Sequence, residues 1–223
     1  QFWEVGTIQE VFPYLEEMSK NVIVKGDSMG VKKGFNFTKA LNLDKLRSNA
    51  VATVKLSDTA AVNKILNSEI AKEARPSNLR YVDFMWAYKP QENAPEYLEL
   101  YAIKSNASKK APIDGAVESA RVDYDQMRRI VVDMQMDANG TKEWKSLTEK
   151  NVGRPIAVTL DNRVYTAPNV NEPIPNGSSQ ISGNFTEDEA KDLVNVLSAG
   201  KLPASSKIVQ ADVVGPSLGE ESI

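Results

Sequence analysis

The segment from Asp161 to Tyr165 is the first place where residue types and spacing suggest chemistry. Asp161, Arg163 and Tyr165 bring a carboxylate, a guanidinium and a phenol close together. One interpretation is a small polar site. The interpretation we favour is a hairpin turn, because Asp161-Asn162 is a dipeptide suited to positive φ. In that case Tyr165 packs beside the strand that follows the turn.

The acidic run at residues 187–189 would suit a hydrolase that works with paired carboxylates. The same charges suit the first turn of a helix, where they interact favourably with the helix dipole. We prefer the helix start, since nothing singles out two carboxylates, and a carboxylate-based hydrolase stays an alternative. Residues 137–141 begin like a calcium loop, but Lys142 and Thr148 occupy the positions of the required Gly and Glu.

Composition excludes several kinds of site. The 223-residue chain contains no Cys and no His, which rules out a thiolate nucleophile, a Ser-His-Asp arrangement and a sulfur or imidazole metal site. Its net charge of −3 gives no reason to expect a nucleic-acid partner. No apolar run is long enough to span a bilayer. We therefore expect a non-catalytic protein without metal or cofactor, and interpret the chain as a soluble piece of a longer protein.

Aromatic side chains concentrate on two neighbouring predicted strands, residues 79–88 and 97–103. Because side chains alternate along a strand, one face is expected to build core and the other to expose rings. Exposed rings suit transient contact with an extended, apolar polypeptide. The candidate contact residues are Tyr81, Trp86, Tyr88, Tyr97 and Tyr101, although core packing is the favoured interpretation for each residue taken alone.

Hydrophobic periodicity predicts the elements that carry these residues. Helices are expected from Ile8, after Ser57 as a cap, from Asp137, and after Thr186, where Glu189 completes a capping box. Residues 22–39, which are rich in Gly, are expected to be loop-rich. Strands are expected at residues 2–5, 50–56, 79–88, 97–103, 116–124, 129–136, 156–160, 164–167, 180–183 and 207–214.

Many antiparallel strand signals with a few helices between them predict an α+β fold, with the helices packed on one side of antiparallel sheets. The terminal strands, residues 2–5 and 208–214, are expected to pair with each other. Everything between them would then be a lobe inserted between two terminal strands.

The second half of the chain resembles a known family. The residues that carry the resemblance are Asp161 to Pro168, Ile181 to Leu193, Ala199 to Pro203 and Val214 to Gly219. This series is similar to the first large periplasmic domain of the SecD protein-export subunit, or of a fused SecDF. Strong resemblance covers residues 111–223. Residues 79–103 are a weaker match, and residues 16–76 depart from the family's pattern.

The resemblance implies a periplasmic domain with a ferredoxin-like base and a head that swings and holds an emerging polypeptide. SecD and SecF assist the SecYEG channel with energy from the proton gradient, and the proton-carrying residues lie in transmembrane helices that this chain lacks. The implied partners are an unfolded preprotein, SecF (fused or separate) and the SecYEG translocon. The implied location is the periplasmic face of the bacterial inner membrane.

The resemblance also divides the chain. Residues 1–7 and 206–223 are interpreted as remnants of the base and residues 8–205 as the head, in which 16–110 form a lineage-specific insertion and 111–205 the family-typical part. Gly6, Gly215 and Gly219 are hinge candidates, because hinges are short segments at the ends of elements. The alternative from another class is a purely structural lobe that docks to partner subunits and never touches the polypeptide.

Overall fold

The structure, a computed structural model, describes residues 1–25, 30–32 and 34–200. This part of the chain contains nine strands and six α-helices. The strands are β1 (Phe2–Gly6), β2 (Ala52–Lys55), β3 (Val82–Ala87), β4 (Tyr97–Lys104), β5 (Val117–Tyr124), β6 (Ile130–Met136), β7 (Ile156–Leu160), β8 (Arg163–Thr166) and β9 (Ser178–Ser182). The helices are α1 (Ile8–Lys25), α2 (Phe37–Leu41), α3 (Thr59–Leu66), α4 (Glu69–Ala74), α5 (Ala138–Lys150) and α6 (Glu187–Ala199).

The larger sheet closes on itself. Its six strands follow the order β1-β7-β8-β3-β4-β2, and an additional pairing of β1 with β4 joins β1, β7, β8, β3 and β4 into a ring. The pairs are antiparallel except for β3 with β8. Strands β5, β6 and β9 form a second, antiparallel sheet. This architecture confirms the predicted α+β class.

The interior of the ring follows from the strand register, because directly paired residues place their side chains on the same face. Val5 pairs with Ile103, and Trp3 pairs with Ala157. All four side chains are buried. The indole Nε1 of Trp3 donates a hydrogen bond to Oγ1 of the buried Thr159 over 3.0 Å, so the ring encloses a packed interior in which this polar atom is satisfied.

Helices from the first half of the chain cover the outer face of β3 and β4. The ring of Tyr14 in α1 lies 6.2 Å from that of Phe84. The indole Nε1 of Trp86 donates to Oδ1 of Asn63 in α3 over 2.8 Å. These contacts, together with the ring interior, make up the first hydrophobic core.

A second core lies between the three-stranded sheet, α5, α6 and the outer face of β1 and β7. Phe2 and Ile156 point into this core, whereas their neighbours Trp3 and Ala157 belong to the first. Phe2 meets Trp144 of α5 edge-on, with ring centroids 5.1 Å apart. The strands β1 and β7 are therefore shared by both cores.

The prediction that residues 22–39 are loop-rich is wrong at both ends. Helix α1 continues three residues past Val22, whose side chain is buried on the helix face that meets the first core. Asn36 caps the short helix α2, because its side chain accepts a hydrogen bond from the backbone N–H of Lys39 over 2.9 Å. The burial of Val22 thus extends α1, and the cap at Asn36 starts α2. The glycines in this segment gave no sign of either helix.

The predicted cap at Ser57 is also wrong. A 3₁₀ turn occupies Leu56–Asp58, and the residue before α3, Asp58, makes no side-chain cap. The helical segment then divides at Ser68, whose hydroxyl donates to the carbonyl of Ile65 and accepts from the backbone N–H of Ala71. One serine therefore ends α3 and starts α4.

The later helix starts are confirmed. The side chain of Asp137 accepts a hydrogen bond from the backbone N–H of Gly140 over 2.7 Å at the start of α5. Thr186 and Glu189 form the predicted capping box of α6. The predicted strand at residues 207–214, and its pairing with residues 2–5, lie outside the described residues.

Candidate functional site

A cleft of about 860 Å³ opens at one end of the strand ring. The floor of the cleft is formed by β3 and β8, whose paired residues Ala87 and Val164 line it. One wall is formed by β4 and the segment before β2. The other wall is formed by residues 182–185 and by α6. The cleft therefore separates elements of the first core from elements of the second.

Tyr88 and Tyr165 stack on each other in this cleft. Their ring centroids are 4.1 Å apart and the ring planes differ by 10°. The two residues meet because β3 and β8 run parallel and the backbone N–H of Tyr88 donates to the carbonyl of Val164 over 3.0 Å. Both side chains are half-buried, so the pair presents an aromatic surface that is held in place and reached by solvent.

Lys89 and Glu189 connect the floor of the cleft to α6. Nζ of Lys89 lies 2.6 Å from Oε1 of Glu189, and Oε2 accepts a hydrogen bond from the backbone N–H of Thr186. Burial opposes ionisation of Glu189, but the hydrogen bonds from Lys89 and Thr186 outweigh it and hold the pKa of this carboxyl below its ordinary value. Burial raises the pKa of the Tyr88 phenol, which therefore stays protonated at neutral pH.

Glu99 of β4 carries a carboxylate on the opposite wall. Its Oε1 accepts hydrogen bonds from Oγ of Ser48 over 2.7 Å and from Nε2 of Gln91 over 2.9 Å, and its Oε2 accepts from the hydroxyl of Tyr101 over 2.8 Å. Tyr101 is almost fully buried. Burial, with the Glu99 charge, raises the pKa of its phenol far above its usual range, so Tyr101 is a permanent donor.

Two of the five predicted contact residues, Tyr88 and Tyr101, line the cleft. A third, Trp86, is only 8% exposed and its ring belongs to the first core. Its indole Nε1 donates a hydrogen bond to Oδ1 of Asn63 in α3. The alternation along β3 therefore directs Trp86 toward the helices, and its contact role stays a prediction.

The other two predicted contact residues lie outside the lining of the cleft. Tyr97 lies at the start of β4, and Nζ of Lys45 is 4.7 Å from the centroid of its ring. Tyr81 is 39% exposed, beside the guanidinium of Arg80. Lys45 lines the cleft, so Tyr97 contacts a residue of the site without lining it. Tyr81 is not part of the site.

The turn predicted at Asp161-Asn162 forms, with φ angles of 51° and 59° at the two residues, and it joins β7 to β8. Asp161 and Arg163 are exposed, and the structure describes no ion pair between them. Tyr165 reaches the cleft, where burial, followed by the Asp161 charge, raises the pKa of its phenol. The motif thus serves a turn and, through Tyr165, the cleft.

Gly6, the first hinge candidate, is a point of close packing. A Cβ there would lie 3.1 Å from Cγ2 of Val11 and 3.3 Å from Cβ of Ala102, which is tighter than ordinary van der Waals contact. The missing side chain lets α1 approach β4. Gly215 and Gly219 lie outside the described residues, and the hinge role of all three stays a prediction.

Sequence reasoning missed the residues that complete the cleft, among them Lys89, Glu99 and Phe185. Glu189 was assigned only a capping role. These side chains come from β3, β4, the end of β9 and α6, which meet through long-range packing that leaves no periodic signal. The prolines that follow β3 and β8, Pro90 and Pro168, were a local sign that the sheet becomes irregular where the cleft lies.

The described residues contain no group of three or more Asp or Glu side chains placed to hold a metal ion. No helix in this part of the chain combines the length and apolar character needed to cross a membrane. The cleft is lined by aromatic rings and prolines, and beside them by hydroxyl, amide, ammonium and carboxylate groups. That combination suits reversible binding through apolar contacts and hydrogen bonds.

Comparison with known proteins bears on the resemblance seen in the sequence. Residues 101–204 match the model of the SecDF P1 head subdomain. The chain is 40% identical over 167 residues to the protein translocase subunit SecD of Rhodothermus marinus, covering 74% of this chain and 26% of that protein. It is 40% identical over 116 residues to SecD of Rickettsia bellii, covering 52% and 23%.

A crystal structure of SecDF from Thermus thermophilus aligns with 91% of this chain and 29% of its own, at 20% identity and a TM-score of 0.40. That superposition is too loose to transfer structural detail. The chain spans about a quarter of the length of the two curated relatives. The matched head subdomain and the 40% identity confirm the resemblance of this chain to the SecD/SecDF family of protein translocase subunits.

Proposed function

We propose that this chain is the non-catalytic part of a SecD-type subunit that transiently holds an unfolded preprotein in the cleft. In the whole protein it would lie on the periplasmic face of the inner membrane and work beside SecF and the SecYEG translocon. Energy would come from the proton gradient through the membrane part. A change in the orientation of this domain would keep the held segment from sliding back.

The observation that carries the proposal is the stacked pair of Tyr88 and Tyr165 in an open cleft that Phe185, Pro90 and Pro168 also line. Aromatic rings give large contact area at low entropic cost, and their hydroxyls bond to a passing main chain. Such a surface has little sequence preference, as a subunit that meets many preproteins requires. The volume lies within the roughly 300–1,000 Å³ typical of binding clefts.

Release of the held segment requires that the cleft change shape or orientation. Gly6, Gly215 and Gly219 are the proposed hinge positions. Rigidifying Gly215 and Gly219 is expected to impair export without unfolding the domain, and normal export with both substituted would remove the hinge from the proposal.

The test is an NMR titration of the isotope-labelled 223-residue chain with an unfolded preprotein. Chemical-shift changes are expected at Tyr88, Tyr165 and Phe185 on one contiguous surface. Tyr165→Ala should weaken binding severalfold, since it removes half of the stack. Tyr124→Ala is the matched control, because Tyr124 is 57% exposed on β5, outside the cleft. No shifts at millimolar preprotein, or equal losses in both variants, would overturn the proposal.

A structural docking lobe is the second candidate function, and the tip of the β5–β6 hairpin favours it. Met127 is 76% exposed there, although Asp125 fixes the tip by accepting hydrogen bonds from the backbone N–H groups of Met127 and Arg129. An exposed apolar side chain on a backbone held in this way suits contact with another subunit. Site-specific crosslinking from position 127 in the assembled translocase would reveal such a partner; crosslinks to preprotein alone would argue against it.

A further inference from the structure

We propose that Glu99 selects a cationic side chain, lysine or arginine, in the polypeptide segment that occupies the cleft. The inference rests on the proposed function, because it assigns the chemistry of the captured segment. Glu99 would act as a specificity-determining residue within a site that otherwise accepts many sequences.

The first argument is the kind of partner that Glu99 has. Its three hydrogen-bond donors, Ser48, Gln91 and Tyr101, are all neutral. Among the described residues, no cationic group forms an ion pair with this carboxylate. A half-buried carboxylate usually has a cation beside it, because neutral donors offset only part of the lost hydration.

The second argument is unused hydrogen-bonding capacity. A carboxylate has about four acceptor positions; Oε1 of Glu99 uses two of its own and Oε2 uses one. Among the described residues, Oε2 therefore has one acceptor position left for an incoming donor.

The third argument concerns the cations that the cleft already holds. Lys89 is engaged by Glu189 at 2.6 Å, and Lys45 lies over the ring of Tyr97. Arg47 lines the same wall without an ion pair to a described residue. Lys89 and Lys45 are therefore occupied, and Arg47 makes no ion pair with Glu99, so this carboxylate is left to an incoming charge.

A lysine or arginine fits the remaining features. Its apolar stem can lie along the half-buried rings of Tyr88 and Tyr165 while its charged head meets Glu99. A charge-assisted hydrogen bond is stronger than a neutral one. The selection would be modest because the cleft is open to solvent, and it would weaken as salt is added.

The experiment uses two unfolded peptides that differ at one position, lysine in one and norleucine in the other, titrated against the 223-residue chain at low salt. We expect the lysine peptide to bind about fivefold more tightly, close to 1 kcal/mol. Glu99→Gln should remove this preference, so that the two peptides bind the variant with equal affinity. Glu96→Gln, which makes the same charge change at an exposed residue outside the cleft, should keep it.

The outcomes separate this inference from the proposed function. If both peptides bind the unaltered chain equally, the role of Glu99 is refuted and polypeptide capture stands. If neither peptide binds at millimolar concentration, capture itself fails. A preference that survives in Glu99→Gln would assign the selectivity to another group. The comparison of peptides on the unaltered chain does not depend on whether the variant folds.

Discussion

The two core regions of the molecule are built from different elements of the chain and meet at two shared strands. The first-core region, the strand ring with α1–α4, depends on contacts between residues far apart in sequence, such as the hydrogen bond from the Tyr14 hydroxyl to the carbonyl of Ala71 over 2.6 Å. The second-core region, the three-stranded sheet with α5 and α6, begins its helices with local caps at Asp137 and Thr186. The regions share β1 and β7, so damage there should reach both, while damage elsewhere should stay local.

The largest effect is expected from Trp3→Ala, because Trp3 fills the ring on a shared strand and its indole is bonded to Thr159. Removing a buried large aromatic ring costs about 3–5 kcal/mol of unfolding free energy. Urea unfolding followed by circular dichroism measures the loss, and hydrogen exchange should show it in both regions. Phe12→Ala, at a 44% exposed position, is the control. Loss of protection in the first region alone would contradict the sharing of β1.

A smaller, local effect is expected from Gly140→Ala in α5. The added Cβ would lie 2.5 Å from Cβ of Ala116 and 2.9 Å from its carbonyl oxygen, distances that force the helix away from the segment leading into β5. Overpacking of this kind costs about 1–3 kcal/mol. Hydrogen exchange should rise in α5 and the three-stranded sheet while α1 keeps its protection. The control is Ser146→Ala on the exposed side of the same helix.

The first region has its own test at Glu10, which joins α1 to Lys104 and Arg154 through contacts of 3.0 and 2.6 Å. Burial opposes ionisation, but the hydrogen bonds from Arg154, the Thr7 backbone and Lys104 prevail and lower the pKa of Glu10 to about 2. Glu10→Gln should therefore cost about 1–2 kcal/mol at neutral pH, after allowance for solvent screening.

The pH dependence of that cost follows from the lowered pKa. The stabilisation is present above the unfolded-state value near 4.5 and is lost as pH falls toward 2. The difference in unfolding free energy between the variant and the unaltered chain should shrink over this range, with the second region unaffected. A difference that is constant from pH 7 to pH 3 would show that Glu10 contributes through packing and not through its charge.

The same contrast explains what could be predicted from the sequence. The turn at Asp161, the cap at Asp137 and the capping box at Thr186 are each encoded within a few residues, and all three were predicted. The end of α1 was not predicted, because burial of Val22 in the first core decides it. The division at Ser68 was also missed, although its hydroxyl bonds residues only three positions away on either side. Local contacts are therefore readable from the sequence in most places but not in all.

The site depends on contacts that no local pattern encodes. The alternation of residues along β3 and β4 predicted that one face of each strand is buried. Which face is enclosed depends on the pairing of β1 with β4, which closes the ring. Trp86 consequently faces the helices, whereas Tyr101 turns toward Glu99. Tyr88 and Tyr165 meet only through the parallel pairing of β3 with β8. The resemblance to SecD could be recognised from the sequence, whereas the cleft could be found only from the structure.

The smallest effect is expected from Thr186→Ala, which removes the side-chain acceptor for the backbone N–H of Glu189 over 3.2 Å. Loss of such a cap costs about 1 kcal/mol. The change should also loosen the Glu189 carboxylate that pairs with Lys89 at the cleft, so hydrogen exchange should rise at the start of α6 while the ring interior keeps its protection. Thr186→Ser keeps the acceptor and should be near neutral. If both variants lose the same stability, the methyl group and not the cap holds this helix end, and the second region depends on packing as the first does.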